Sequence, residues 1–523
     1  MRRSLSLATI ALSAAALLIA PIARAESDDS LPSPNAWTAT SPTPATIDAA
    51  VAALPGIVRQ VQAKTGIPGI AVGVVHDGKV VFAQGFGVRD VTTGAPVDAD
   101  TVFQLASVSK PVGATAISWA VAKKLVSWDT PVHEYLPELQ LSDPYVTKNV
   151  TIADMYAHRS GLPAHIGDDL EDLGFDRATI VQRLRYVPLD PFRAQFAYTN
   201  LGMMTGGVAA ARAAHMSWPT LAKVALFDPA GMTRSSYRFA DYLARPDRAV
   251  SHERVNGVWT HEETFDADAE APAGSLSSSV NDMNRWLALQ LGNGTLDGRS
   301  LIDADTLQVM RQPHITSAAA VEPAARSGWY GYGLNVDVTG TGAVRWSHSG
   351  AFATGAASFV NLLPSANLGI VVLSNATPVG AVEGIGAAFM DIAMTGSQSR
   401  DWLSTYLDAY GPLLTDRSLL ADRTPPAGAK PSAPLDAYTG TYHNDYVGNA
   451  VVVRRGTGLS LRLGPSDHPK VFPLTSWGRD LFSYVPQGET IMARSAVRFD
   501  RAKGTVWIER LDDNGLGTLT RVG

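Results

Sequence analysis

Ser107 and Lys110 stand three residues apart in the stretch Phe103 to Pro111, FQLASVSKP, and are the side chains of this chain best suited to covalent chemistry. Residues i and i+3 of a helix share a face, so a helix opening at Ser107 sets the Lys110 amine beside the serine hydroxyl. Pro111 helps to place that opening. Proline has no N–H to give to a helix interior and is tolerated in the first turn, where donors are unpaired anyway. The spacing therefore predicts a strand-to-helix junction with the helix starting near Ser107. Such a start aims free backbone N–H groups and the positive end of the helix dipole at an oxyanion formed beside the serine. A serine hydroxyl is a poor nucleophile until a base takes its proton as it attacks a carbonyl. Taken alone, the pair also fits an N-capping serine followed by a solvated lysine.

Two further constellations bear on that choice. Tyr198-Thr199-Asn200 carries a phenol and an amide two residues apart, which in an extended segment face one side; alone, it also fits a buried tyrosine followed by a helix-capping asparagine. His348-Ser349-Gly350 lies on a predicted strand, where the glycine lets a substrate backbone approach closely; alone, it fits a strand edge with a hydrogen-bonded histidine. Other chemistries lack their signatures. The pairs His133-Glu134, His252-Glu253 and His261-Glu262 have no second histidine four residues on and read as solvated polar pairs rather than zinc ligands. There is no Gly-x-Ser-x-Gly elbow, Gly-x-Gly-x-x-Gly fingerprint or phosphate loop. No metal and no cofactor are expected.

Ser-x-x-Lys, then Tyr-x-Asn roughly ninety residues on, then His-x-Gly late in the chain is an ordered set rather than three separate matches. In that order the chain resembles the serine β-lactamase and penicillin-binding protein superfamily, closest to the class C β-lactamases, D-peptidases and related bacterial esterases. The resemblance extends to VTIADMYAHRSGLP, DPAGMTRSS, PAGSLSSSVNDMNRWL and WSHSGAFATG, over roughly residues 47 to 395. It implies a serine hydrolase with an acyl-Ser107 intermediate on a small-molecule or peptide substrate. Burial would favour a neutral Lys110 amine, and a cation beside Tyr198 would favour its phenolate, so either can be the base. Tyr198 would return a proton to the leaving group and later activate water. Asn200 would orient Lys110 and the substrate amide, and the N–H groups of Ser107 and of Ala351, the residue after His-Ser-Gly, would form the oxyanion hole. The family's third motif is usually Lys-Thr-Gly. His348, with an ordinary pKa of about 6.5, offers no permanent charge to a substrate carboxylate, which favours an esterase, amidase or D-aminopeptidase-like activity over efficient β-lactam turnover. The alternative is a β-lactam or peptidoglycan sensor that acylates without turning over.

The elements that must position these residues are legible in outline. Residues 47 to 64 repeat apolar residues at helical spacing and stop before Gly66. A hairpin follows, turning at Asp77-Gly78. The charged stretch from Asp168 to Phe196 is placed to cover the mouth of a site, and the small residues of LGMMTGGVAAARAA predict a closely packed helix behind it. An amphipathic helix is expected from about Val280 to Leu291, strands between Tyr330 and Asn375, and a helix from about Val382 to Met394. Strands at both ends of a helical middle predict an α+β fold, with an antiparallel sheet joining N- and C-terminal strands, flanking helices and a helical subdomain. Past the linker DRTPPAGAKPSAP at 422–434, short alternating runs predict a small all-β barrel over 435–523, which resembles the lipocalin-like domain appended to some family members. The hydrolase domain is then 47–421.

With 523 residues, 46% hydrophobic and 18% charged, the chain can form two or more cores. Residues 1–25 combine Arg2 and Arg3, an apolar run and Ala23/Ala25 bracketing Arg24. This reads as an export signal cleaved after Ala25, leaving no membrane span and a periplasmic or secreted bacterial protein. A Ser/Pro-rich flexible leader over 26–46 follows. The formal charge of −6, which becomes −9 once Arg2, Arg3 and Arg24 leave with the signal, makes nucleic acid an unsuited partner. Cys 0 excludes disulfides and a cysteine nucleophile. The oligomeric state stays open.

Overall fold

The computed structural model describes residues 41–262, 264–489 and 492–522. The stretch read as an export signal, and the stretch read as a leader up to residue 40, lie outside the described residues. The first helix, Pro44–Thr65, starts three residues inside the stretch read as leader, because Thr43 and Thr46 form a reciprocal capping box. It stops where expected, at Gly66, whose φ of 72° is the left-handed cap glycine tolerates.

Asp77 and Gly78 both have positive φ, 49° and 70°. That is the turn whose twist matches a two-residue hairpin, and it joins Gly69–His76 to Lys79–Asp90. The hairpin belongs to a nine-stranded antiparallel sheet. Its spatial order is Ile315–Ala318, Gly328–Tyr330, Asn335–Val338, Val344–Phe352, Ala356–Leu363, Leu368–Ser374, Gly69–His76, Lys79–Asp90, Ala95–Pro96. N- and C-terminal strands meet in the middle, from Ile70 opposite Ser374 to His76 opposite Leu368. The central strands are buried along nearly their whole length because helices cover both faces. Pro44–Thr65 and Ala381–Thr395 supply Leu54, Val58, Ile385 and Phe389 to one face, while Val280–Leu291 packs against the other and shares one core with Ser109–Ala122 and the helical middle of the chain.

Beyond the helix Trp402–Tyr410, the chain runs to an eight-stranded antiparallel barrel over residues 440–522, closed where Thr441 pairs with Val522. The packing of the barrel already involves Leu420, which is buried against Trp477 and Ala496. Its interior is filled by rings. Phe499 lies 5.1 Å from Tyr438, 5.6 Å from Phe482 and 5.7 Å from Tyr442, and Phe472 lies 4.8 Å from Tyr484. Aromatic pairs at such distances make a close-packed core rather than a ligand calyx. Among the described residues no helix is long and apolar enough to cross a membrane.

Candidate active site

The nucleophile segment departs from the expected helix start. After the strand Phe103–Gln104 the chain makes a 3-10 turn, Ala106–Val108, and the α-helix proper begins at Ser109. The cause is a backbone kink at Ala106, whose φ of 43° is strained for a residue with a side chain. Ala106 is held there by burial among Ala267, Phe352 and Ala356, and Ser358 Oγ donates 2.6 Å to Leu105 O. With Ala106 and Val108 both buried, the half-buried Ser107 is the residue of the turn left open to solvent. Pro111 falls in the first turn of the helix, where its missing N–H costs nothing.

Lys110 is fully buried, and its three donors are all used. Nζ lies 2.9 Å from Ser107 Oγ, 2.7 Å from Asn200 Oδ1 and 3.0 Å from Ala273 O. The ammonium also sits 4.7 Å from the centre of the Tyr198 ring. The structure thus brings Ser107, Lys110, Tyr198 and Asn200 together. Thr199 rather than Asn200 caps the following helix, Asn200–Ala213, by accepting 2.8 Å from Gly202 N, which leaves the asparagine amide free to face Lys110. The small residues of that helix act as anticipated: a Cβ on Gly207 would lie 2.4 Å from Pro272, so glycine there lets the Pro272-Ala273 segment close onto the lysine.

His348 and Gly350 point toward this centre from the strand Val344–Phe352. A side chain on Gly350 would lie 2.2 Å from Leu105 O and 2.9 Å from Ser107 N, so only glycine lets the strand pass the nucleophile turn. The neighbouring strand pairs no further than Ser347, opposite Asn335, and its end leaves the backbone of 348–352 unpaired on that side, with Ala351 exposed. Strand alternation sends Ser349 the other way. It lines a groove of about 280 Å³ with Glu383, Tyr406 and Tyr410, so its hydroxyl does not belong to the site. His348 is nearly fully buried, and both of its nitrogens are engaged. Nδ1 lies 2.7 Å from Ser349 O, an acceptor, so Nδ1 carries the proton, and Nε2 accepts from the Tyr330 hydroxyl at 2.9 Å. Burial, aided by the Lys110 charge, pushes its pKa down to about 3 against the pull of the Ser349 carbonyl. His348 is therefore a neutral wall of the site rather than a carboxylate receptor.

Several functional neighbours escaped the sequence reading. His158, from AHRSGLP, lies 4.5 Å ring to ring from Tyr198 and accepts 3.2 Å from Thr199 N; burial first, and then Lys110, lower its pKa well below 6.5. Its loop is anchored by Asp154, which takes 2.8 Å from Arg159 and 2.7 Å from Arg193. Asp168 accepts from Asn200 Nδ2 at 3.3 Å and from His165 Nδ1 at 3.1 Å. Burial pushes Glu270 up to about 8 against the pull of Lys110, and burial together with Glu270 raises Glu171. Asp154 and His158 lie in VTIADMYAHRSGLP, part of the resemblance, and Asp168 and Glu171 in the charged stretch expected at the mouth, but nothing in the sequence singles these residues out. Among the described residues no cluster of three or more His, Asp or Glu is suited to a metal ion.

The nine-stranded sheet with flanking helices and a Ser-Lys pair at its edge defines a β-lactamase/transpeptidase-like fold. The Beta-lactamase family model matches residues 54–393, and the chain belongs to that family. A second match, Domain of unknown function (DUF3471), covers residues 424–509. The chain is 24% identical over 429 residues to an unguisins hydrolase of Aspergillus violaceofuscus, covering 73% of each protein. It is also 24% identical over 351 residues to a beta-lactamase of Yersinia enterocolitica, covering 60% of this chain and 83% of that one. In fold it is similar to the octameric penicillin-binding protein homologue from Pyrococcus abyssi, with a TM-score of 0.58 and 20% identity over 90% of this chain and 99% of that one.

Proposed function

We propose that the protein is an exported serine hydrolase that forms an acyl-Ser107 intermediate on amide or ester substrates, of the small-ester, D-amino-acid peptide or β-lactam-like type. The observation that carries this reading is the Lys110 amine held between Ser107 Oγ and Asn200 Oδ1. When that amine gives up a proton, its lone pair faces the serine hydroxyl, and Asn200 and Ala273 O keep the other two N–H bonds in place. Ser107 then attacks the substrate carbonyl as its proton passes to Lys110, and the oxyanion is met by the N–H groups of Ser107 and Ala351. Tyr198, beside Lys110, hands a proton to the departing amine or alcohol; the same group then takes one from the water that releases the acid.

Substrate choice follows from the third motif. Lys110 already spends its charge on three acceptors, and His348 is neutral with both nitrogens occupied. A substrate carboxylate would therefore find no free cation there, and neutral acyl groups are favoured. The test is a matched panel: a short-chain p-nitrophenyl ester, a D-alanyl amide and nitrocefin, each against wild type and Ser107→Ala, with carboxylated counterparts of the first two. Turnover of the neutral members, lost in Ser107→Ala, supports the reading. Preference for the carboxylated partners contradicts the substrate assignment, and turnover by Ser107→Ala contradicts the mechanism.

A further inference from the structure

The barrel touches the hydrolase domain at a telling place. The helix Asp168–Asp172 is five residues long, too short to hold its own geometry, and the barrel grips it from three residues. The Tyr446 hydroxyl donates 2.6 Å to Asp169 Oδ1 and accepts 3.1 Å from Gly167 N. Arg510 Nη2 donates 2.7 Å to Asp172 Oδ2, and Glu489 N donates 2.8 Å to Asp172 Oδ1. Tyr446 is 2% exposed, and the Arg510–Asp172 pair is 15% and 7% exposed, so these bonds are shielded from competing water.

The same helix opens with Asp168, whose carboxylate faces Asn200 Nδ2. A carboxylate only accepts, so it holds the NH₂ end of the asparagine and leaves the oxygen end to face Lys110 at 2.7 Å. Without it the amide is free to turn, and an NH₂ group aimed at the lysine would repel the ammonium instead of receiving it.

We infer that the barrel is a positioning domain for the catalytic lysine: Tyr446 and Arg510 fix the short acidic helix, Asp168 on that helix sets the Asn200 amide, and Asn200 sets Lys110. The inference rests on the Ser107 hydrolase reading and adds to it a role for the barrel. Asp168, Tyr446 and Arg510 are positioning residues, since none of them touches the reacting atoms.

The experiment compares the full-length protein with Asp168→Asn, Asp168→Glu, Tyr446→Phe and the Asp168→Asn/Tyr446→Phe double variant, measuring the rate of Ser107 labelling by a fluorophosphonate across pH, with melting temperature alongside. Asp168→Asn and Tyr446→Phe are each expected to slow labelling by about tenfold to a hundredfold and to shift the pH midpoint of the rate. The double variant should be no slower than the slower single one, because residues in one relay are not additive, and Asp168→Glu should recover part of the rate. The melting temperature of Asp168→Asn should stay close to wild type, and that of Tyr446→Phe should fall by no more than the loss of one buried hydrogen-bond partner costs, so both variants are folded at the assay temperature. Variants that label at the wild-type rate with the wild-type pH profile, or a double variant whose losses multiply, would overturn the relay while leaving the hydrolase reading intact. A wild type that never labels at Ser107 would overturn the hydrolase reading and the relay with it.

Discussion

The Tyr330 hydroxyl donates to His348 Nε2 across 2.9 Å and completes a histidine whose other nitrogen is already spent on Ser349 O. Burial, aided by the Lys110 charge, keeps His348 uncharged throughout the neutral range, while the two bonds fix its tautomer. Its folded pKa, pushed down to about 3, lies below the ordinary value of 6.5, so the unfolded chain binds the proton more readily. The contribution to stability is complete above pH 6.5 and is lost as pH falls from 6.5 toward 3, by up to about 1.4 kcal/mol per pH unit. Denaturant unfolding of His348→Gln should therefore show a shallower loss of stability between pH 6 and 4 than wild type; an unchanged slope would mean that His348 is protonated in the folded state.

Glu270 works in the opposite sense. Burial raises it to about 8, so the folded state holds a proton the unfolded chain releases near 4.5. Stability from this group is complete below that value and is lost as pH rises toward 8. Glu270→Gln, which mimics the protonated form, should gain on the order of 3 kcal/mol relative to wild type on going from pH 5 to pH 8, about 1.4 kcal/mol per pH unit over most of that range. Melting temperatures at those two pH values check it.

Gly350→Ala tests the passage of the strand beside the nucleophile. A methyl group there would lie 2.2 Å from Leu105 O and 2.3 Å from Ser358 Oγ, so strand and turn must separate. Acylation of Ser107 should fall by about a hundredfold, with a stability cost of about 1–3 kcal/mol, as read by labelling rate and denaturant midpoint.

Replacing Lys110 by Met removes the base and leaves Asn200 Oδ1 and Ala273 O without their shared donor. Acylation should drop by about a hundredfold or more, at a cost of about 1–3 kcal/mol for the unpaired acceptors. Tyr198→Phe should also slow turnover strongly, since the ring packing on His158 survives while the proton carrier is lost. Single-turnover kinetics separate the two effects.

The barrel core gives a prediction independent of chemistry. Phe499 is 4% exposed among Tyr438, Tyr442 and Phe482, and Phe499→Ala should cost about 3–5 kcal/mol through the cavity it leaves, as measured by denaturant unfolding.

Much of this architecture is legible in local sequence. The Asp77-Gly78 turn, the helix Val280–Leu291 and the strand runs after Tyr330 are set by short-range pattern, and the structure places them there. Ser107, Lys110, Tyr198 and Asn200 could be picked out because their order along the chain is itself a signal, and they do converge. What the sequence could not convey is contact between distant segments. The Tyr330–His348 bond depends on two strand pairings, the Asp168–Asn200 bond on a helix held by the barrel, and the kink at Ala106 on burial under Phe352 and Ala356. Ser349 was misplaced for a simpler reason: in a strand the residue beside a site residue faces away.

The most direct test of the Ser107 account is time-resolved intact mass spectrometry of the protein mixed with a short-chain p-nitrophenyl ester, followed by peptide mapping, with Ser107→Ala as control. The account predicts a transient mass increase equal to the acyl group, located on the peptide that carries Ser107, rising and decaying as p-nitrophenol and acid appear, and absent from Ser107→Ala. Product release with no adduct on that peptide, or undiminished turnover by Ser107→Ala, would contradict it.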